Sequence, residues 1–397
     1  MSVVSMQITS STIYMALPLF FEQFGVSKTE NGVLISIGTL AGVFSGLIAG
    51  KFSDNYGRKK FLVAGTAIYA VVFYLFTFMS KDFNTFLFLR FFEGIGFYVM
   101  PVLVAAMCAD TFPSKERGKM MALFSMAGGL GQQMGPLIAP FLIWGSDYNL
   151  YFLFSGSFVV ISCLGMVFLV KETLPLEQRI KRDKSGKSKS LDGFFESVKA
   201  LGVAFLMLLI SILVYRTGYT MIDPFFSIYL KNVLKLDLSS TSYLFALRAI
   251  WTLAFAPVAG WMADRFGRKP TFLLGMVLTA LAFFGYTQMK GAFDIYIVRS
   301  LDAIASIIVL NSIRVYTVDL LAPSVRGFGM GLYSTISQES STIGAIFGGY
   351  VIDLLGFNMV FLAAAVLSAI SLFIVQLWVP EPGETKKVEA EKVRMKS

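Results

Sequence analysis

Twelve predominantly apolar runs follow one another along the chain, separated by short polar turns. They lie at about 2–24, 31–52, 61–79, 84–109, 119–143, 150–170, 200–228, 239–262, 271–289, 294–318, 328–353 and 359–379. A helix rising about 1.5 Å per residue needs roughly 20 apolar residues to cross about 30 Å of hydrocarbon, so the pattern predicts twelve transmembrane helices. The longest polar interval divides them six and six. The expected domains are an N-terminal bundle over 1–170, a basic linker over 171–199, a C-terminal bundle over 200–379 and a tail over 380–397.

The turns repeat. Between the second and third runs stand Gly50, Asp54, Gly57, Arg58, Lys59 and Lys60; between the eighth and ninth, 210 residues later, stand Gly260, Asp264, Gly267, Arg268 and Lys269. At an offset of 209, Arg90 and Glu93 map onto Arg299 and Asp302, Asp110 onto Asp319, Arg117 onto Arg326, and Glu172 onto Glu381. Charged residues repeated inside corresponding runs imply two matched halves.

Charge sets the expected orientation. Taking alternate connections as one side, 24 of the 34 Lys and Arg residues fall with the repeated turns, the linker and the tail, and five on the other. Such a bias places the repeated turns and both termini in the cytoplasm of a multi-pass plasma-membrane protein. The net charge of +9 is thereby explained by topology, and no nucleic-acid partner is expected. A hydrophobic content of 56% agrees with a bilayer setting.

The chemistry is bounded by what is missing. There is no histidine, which excludes His-based triads, His metal sites and His proton switches. Cys108 and Cys163 sit in separate apolar runs and read as small core residues. The Gly186 to Ser188 stretch ends like a phosphate-binding loop, but Lys181 stands where its first glycine belongs. Neither enzyme activity, nor metal, nor cofactor is expected.

The Gly50 to Lys60 turn and its copy resemble the loop motif of the major facilitator superfamily. Arg90 with Gly94 and Gly96 looks like that superfamily's fourth-helix motif, and Asp110, Pro113, Arg117 and Gly118 match its next turn. The resemblance covers essentially the whole chain. It implies an all-α membrane fold of two pseudo-symmetric six-helix bundles and alternating access around a midplane site. It also implies gating by Gly50, Asp54, Gly57, Arg58, Asp110 and Arg117, with Gly260, Asp264, Gly267, Arg268, Asp319 and Arg326 in the second half; turn chemistry alone is the other reading. In the fifth run, Gly131, Gly135 and Pro136 resemble the superfamily's antiporter motif as helix-packing positions, while Ala122, Ala139 and Pro140 depart from it.

Charges inside apolar runs cost about 2.5 to 3.5 kcal/mol each on insertion scales, so each asks for a partner or a role. Arg90 with Glu93, and Arg299 with Asp302, are three apart on a helix and able to pair. These four, with Glu339, are the candidates for proton coupling. Arg216, Tyr219 and Asp223 share a helix face just before the break at Pro224. With Arg248 and with Tyr14 of the polar first run they are candidates for solute binding, and Glu339 is a candidate partner for Arg248. Arg314 lies closer to water.

The expected function is secondary active transport of a small organic solute, coupled to protons, with efflux antiport of drug-like solutes preferred. Proton-coupled uptake of an organic anion or sugar is the alternative, and a non-transporting sensor on the same fold is the rival from another class. The expected partners are the solute, protons and membrane lipid, with the chain acting as a monomer.

Overall fold

The computed structural model describes residues 2–143, 147–174, 198–199, 201–289, 293–322 and 325–381. Most of the 171–199 linker and the tail beyond 381 therefore lie outside the described residues. In chain order the helices are α1 (Ser2–Gln23), α2 (Lys28–Tyr56), α3 (Arg58–Phe78), α4 (Phe83–Thr111), α5 (Ser114–Leu142) and α6 (Asn149–Leu169). Then come α7 (Val203–Thr220), α8 (Phe226–Asn232), α9 (Leu238–Phe266), α10 (Arg268–Gln288), α11 (Asp294–Leu320), α12 (Arg326–Leu355) and α13 (Phe357–Trp378). Each predicted run is a helix, and the seventh is split. Among the described residues, nine spans, with α7 and α8 joined as one, are long and apolar enough to cross a bilayer. The two arms of α1 make a tenth.

Local chemistry explains the ends. Ser27 starts α2 with a reciprocal cap: its hydroxyl accepts the Glu30 amide at 3.2 Å, and its own amide donates to Glu30 Oε2 at 2.8 Å. The helix thus begins before the apolar run does. At its other end Gly57 takes φ +99°, and Gly267 does the same after α9. A left-handed φ lets one helix stop and the next start at the adjoining residue, which is why a glycine stands at both turns. Asp82 caps α4, accepting the Thr85 amide at 3.0 Å, and that bond holds its carboxyl below the usual carboxylate range. The α7 helix ends at Thr220, and a 3-10 turn over Asp223–Phe225 carries the chain past Pro224 into α8. Proline has no amide hydrogen to continue the ladder.

The chain divides into two compact units, Met1–Ser188 with Pro224–Ala246, and Lys189–Asp223 with Leu247–Ser397. In the first, α2 and α4 touch backbone to backbone: a β-carbon on Gly94 would fall on the Gly38 carbonyl. Farther along, Gly42 faces the Tyr98 ring, while Gly46 and Gly50 face Val102. Phe20, Phe21, Phe76, Phe86, Tyr148 and Phe152 form an aromatic cluster, with the Phe20 and Phe152 rings 4.8 Å apart. The α8 segment belongs to this unit, where Asn232 donates to Glu22 at 2.8 Å.

In the second unit α12 lies against α7, with Gly344 at Thr220 and Gly348 at Met221. Small residues permit this approach, and hydroxyl bonds fasten it. Thr220 donates to the Ser340 carbonyl at 2.9 Å, and Ser211 and Ser371 join α7 to α13 at 2.7 Å. Large apolar side chains such as Phe141, Phe168, Leu169, Phe347 and Phe373 remain exposed, as a lipid-facing surface requires.

Candidate functional site

Three constellations carry charge, and each lies within one unit. The first is the repeated turn. Arg58 is almost fully buried; it pairs with Asp110 of α4 and, at 3.1 Å, with Asp54 one turn before it. Arg268 repeats both pairs, with Asp264 at 2.8 Å and Asp319 at 3.3 Å. A third carboxylate completes each turn. Glu172 accepts the backbone amides of Arg58 and Lys59 at 3.0 and 3.2 Å, and Glu381 those of Arg268 and Lys269 at 2.7 and 2.8 Å. An anion at a helix start satisfies orphan amides and favours the helix dipole. The lysines act in parallel, Lys59 Nζ donating to the Val167 carbonyl at 2.6 Å and Lys269 Nζ to Gln376 at 3.0 Å. Arg117 and Arg326 stand outside these clusters; each donates to a backbone carbonyl five residues back, Phe112 and Leu321.

The second constellation is the pair of buried ion pairs. Arg90 meets Glu93 at 2.5 Å in α4, and Arg299 meets Asp302 at 2.9 Å in α11. All four residues are at most 5% exposed, so the pairs lie in the helix cores and do not reach water by snorkelling. Arg90 also donates through Nε to the Leu34 carbonyl at 3.1 Å. It fits because Gly38 has no side chain: a β-carbon there would come within 2.8 Å of the guanidinium. The Tyr286 hydroxyl reaches Asp302 at 3.4 Å. The two pairs differ in their surroundings. A cavity of about 20 Å³ lies beside Arg90 and Glu93, lined also by Ser10, Thr39 and Tyr98. Its volume suits a water molecule.

The third lies where α7 ends. Arg248 of α9 donates to Asp223 at 2.9 Å, and its guanidinium lies 5.2 Å from the centre of the Tyr219 ring. Both members of the ion pair keep about a quarter to a third of their side-chain surface. Arg248, Asp302 and Arg299 are close enough to act on one another's charge, so this group adjoins the α11 pair. Arg216, a turn earlier in α7, is half-buried with Nε sealed and without an acceptor.

Sequence spacing puts Arg216 and Asp223 on one face, yet Asp223 takes its partner from α9. The expectation that Glu339 serves Arg248 is corrected accordingly: among the described contacts the carboxylate on Arg248 is Asp223, and Glu339 is half-buried in α12 without an ion pair. Arg314 is exposed. The side chain of Tyr14 lies outside the described residues. Gly131 packs α5 on α1, since a β-carbon there would strike the Val4 carbonyl; Gly135 and Pro136 are buried on the same helix. Sequence reasoning matched Glu172 with Glu381 without assigning their capping role, and missed the donors Trp251 and Ser337, whose polar atoms are buried without partners. The offset of 209 was the available signal for Glu172 and Glu381. Nothing singles out one tryptophan or one serine in an apolar run.

Comparison with known proteins fits this arrangement. The Major Facilitator Superfamily model matches residues 1–215 and again 208–396. Multidrug resistance protein 2 of Bacillus subtilis is 23% identical over 364 residues, covering 91% of this chain and 89% of that protein. The phosphoglycerate transporter protein of Salmonella typhimurium is 25% identical over 385 residues, covering 88% and 80%. The crystal structure of a D-xylose-proton symporter superposes with a TM-score of 0.74 at 14% identity, covering 96% of this chain and 97% of that one, a likeness of fold alone. Two halves, each matched by the same family model and each carrying the same turn network, identify the chain as a member of the Major Facilitator Superfamily: a twelve-helix, multi-pass membrane transporter of small molecules and not an enzyme.

Proposed function

We propose that the protein carries a small organic solute by alternating access, drives it with protons and exports it by antiport. The observation that supports coupling is the buried arginine–carboxylate pair of α4, one helical turn long and repeated in α11. In a chain without histidine a carboxylate is the natural proton carrier. Paired with arginine it stays ionised; drawn away from arginine, a buried carboxylate favours its protonated form. A change in what Arg90 or Arg299 touches therefore becomes uptake or release of a proton by Glu93 or Asp302. Glu339 is the third candidate carrier. Arg216, Tyr219, Asp223 and Arg248 bind the solute, and the Arg58 and Arg268 networks hold the turns in one of two states.

Export is favoured by the α5 stretch at Gly131, Gly135 and Pro136, and by the multidrug resistance protein among the relatives. The repeated turns, the linker and both termini lie in the cytoplasm by their charge. The protein works as a lipid-embedded monomer in the plasma membrane. Proteoliposomes with an imposed pH gradient test the reading: internal pH is recorded as lipophilic cations, sugars and organic anions are added, for wild type, Glu93→Gln, Asp302→Asn and Glu339→Gln. Solute-dependent proton movement lost in a variant supports coupling, and its sign separates export from uptake. Solute crossing with no proton movement would demote the carboxylates to structural pairs.

A further inference from the structure

We propose that the unpartnered donors of α7, α9 and α12 form a binding site for a carboxylate, so that the solute is an organic acid with one negative charge and a flat apolar body. This rests on the reading of the protein as a solute transporter and names the substrate class.

Among the buried donors without an acceptor in this unit, four lie on α7, α9 and α12: Arg216 Nε, the Tyr219 hydroxyl, the Trp251 indole N–H and the Ser337 hydroxyl. Tyr219 is only 8% exposed. Native proteins leave few buried polar atoms unsatisfied, because each costs free energy that a ligand's oxygen would relieve. The four sit on three helices, and α7 meets the other two: α12 through Thr220 and Ser340, and α9 through Tyr219 and Arg248. Arg216 and Tyr219 are three apart on α7, and Arg248 and Trp251 three apart on α9, so each pair shares a helix face. Arg248 joins the two faces by lying over Tyr219 and bonding Asp223. The α7 and α12 helices run the same way, Gly329 lying by Leu201 and Gly348 by Met221. Thr220 donates to Ser340, so Arg216, one turn earlier in α7, is level with Ser337, one turn earlier in α12.

Charge selects the ligand. Arg248 and Arg299 are answered by Asp223 and Asp302, whereas Arg216 has no carboxylate within ion-pair distance among the described residues. Glu339 sits on another side of α12, roughly 140° around the helix from the face that meets α7. One uncompensated cation suits a monoanion, and a planar guanidinium suits a planar carboxylate. A phosphate dianion would leave a surplus negative charge. Aromatic rings stand beside two of the donors: Tyr219 packs on Phe283 with ring centres 5.7 Å apart, and Trp251 on Phe255 at 5.6 Å. Such faces accept a flat apolar body.

The test is calorimetric binding to the full chain in nanodiscs at neutral pH, with benzoate, phenylacetate and 3-phenylpropionate as probes. Phenylacetamide, phenethylammonium and phenyl phosphate are the comparisons. At least one carboxylate should bind tenfold tighter than the amide, the ammonium ion and the phosphate. Arg216→Gln should remove that tenfold preference, Arg216→Lys should restore part of it, and Tyr219→Phe and Ser337→Ala should each weaken carboxylate binding several-fold. Those two milder variants carry the test if Arg216→Gln does not fold. Failure of every carboxylate to bind, preference for the ammonium ion, or a preference that survives the variants would overturn the proposal. Carboxylate binding without solute movement in proteoliposomes would instead overturn the transport reading and leave the site standing.

Discussion

Glu381 closes on the start of the helix that begins at Arg268, accepting the Arg268 amide at 2.7 Å through one oxygen and the Lys269 amide at 2.8 Å through the other. Glu172 holds Arg58 and Lys59 in the same way, so one clamp is built twice from residues more than a hundred positions apart. Each ties the end of its half to the middle of it. Replacing a side chain that caps a helix start typically costs about 1 kcal/mol. Glu381→Ala should therefore lower the thermal midpoint in detergent by about 2 °C at a fixed heating rate, and Glu172→Ala similarly. Glu381→Gln should lose less, since the amide oxygen still accepts one bond. Midpoints unchanged in all three would mean that solvent caps these helices equally well.

The clamp also marks where sequence reading stops. Runs and turns were legible because hydrophobic period and glycine placement are local: all twelve predicted runs are helices, and the break falls where Pro224 stands. The α2 helix extends beyond its run, from Lys28 to Tyr56, because polar caps prolong a helix that has left the hydrocarbon. Partners across helices were not legible. Spacing puts Arg216 and Asp223 on one face, but which neighbouring helix supplies the opposing charge depends on packing, and the answer was Arg248.

Glycines of the repeated turn and of the fourth helix differ in what they permit. A β-carbon on Gly260 meets nothing within 4 Å, and one on Gly50 makes only ordinary contact with Val102 at 3.4 Å, whereas one on Gly94 would occupy the Gly38 carbonyl. Gly94→Ala should destabilise the protein by about 1 to 3 kcal/mol, as overpacking does, with reduced expression and a lower midpoint. Gly260→Ala should leave the midpoint unchanged. If Gly260→Ala nevertheless slows transport, its hydrogen is needed in a conformation other than this one.

Asp223 and Arg248 form the most accessible ion pair inside the helical runs. Removing one partner strands the other charge at membrane depth, which is worse than removing both. Asp223→Asn and Arg248→Gln should each cut solute transport at least tenfold and lower the midpoint. The double variant should recover the midpoint toward wild type and still fail to transport, because the proposed solute site loses its charges together. Additive losses of stability would show that the pair is not coupled.

Glu93 and Asp302 are matched in sequence and unequal in surroundings. Beside Glu93 lies a cavity with room for a water molecule, edged by the Ser10, Thr39 and Tyr98 side chains. Asp302 is 1% exposed and is met by Arg299 and the Tyr286 hydroxyl. A proton leaves a buried carboxylate through a water or hydroxyl that can pass it on; Tyr286 is itself only 1% exposed, so the cavity beside Glu93 makes that carboxylate the proposed site of exchange. Glu93→Gln should abolish solute-dependent proton movement in proteoliposomes while solute exchange down its own gradient persists. Asp302→Asn should lower the midpoint more than it changes the proton-to-solute ratio, since it strands Arg299. Ser10→Val, which fills the cavity without touching the ion pair's charge, should slow proton movement several-fold at unchanged midpoint. Coupling that survives Glu93→Gln and vanishes in Asp302→Asn would reverse the assignment and place proton exchange in α11, reached through an opening that forms only when the second unit changes shape.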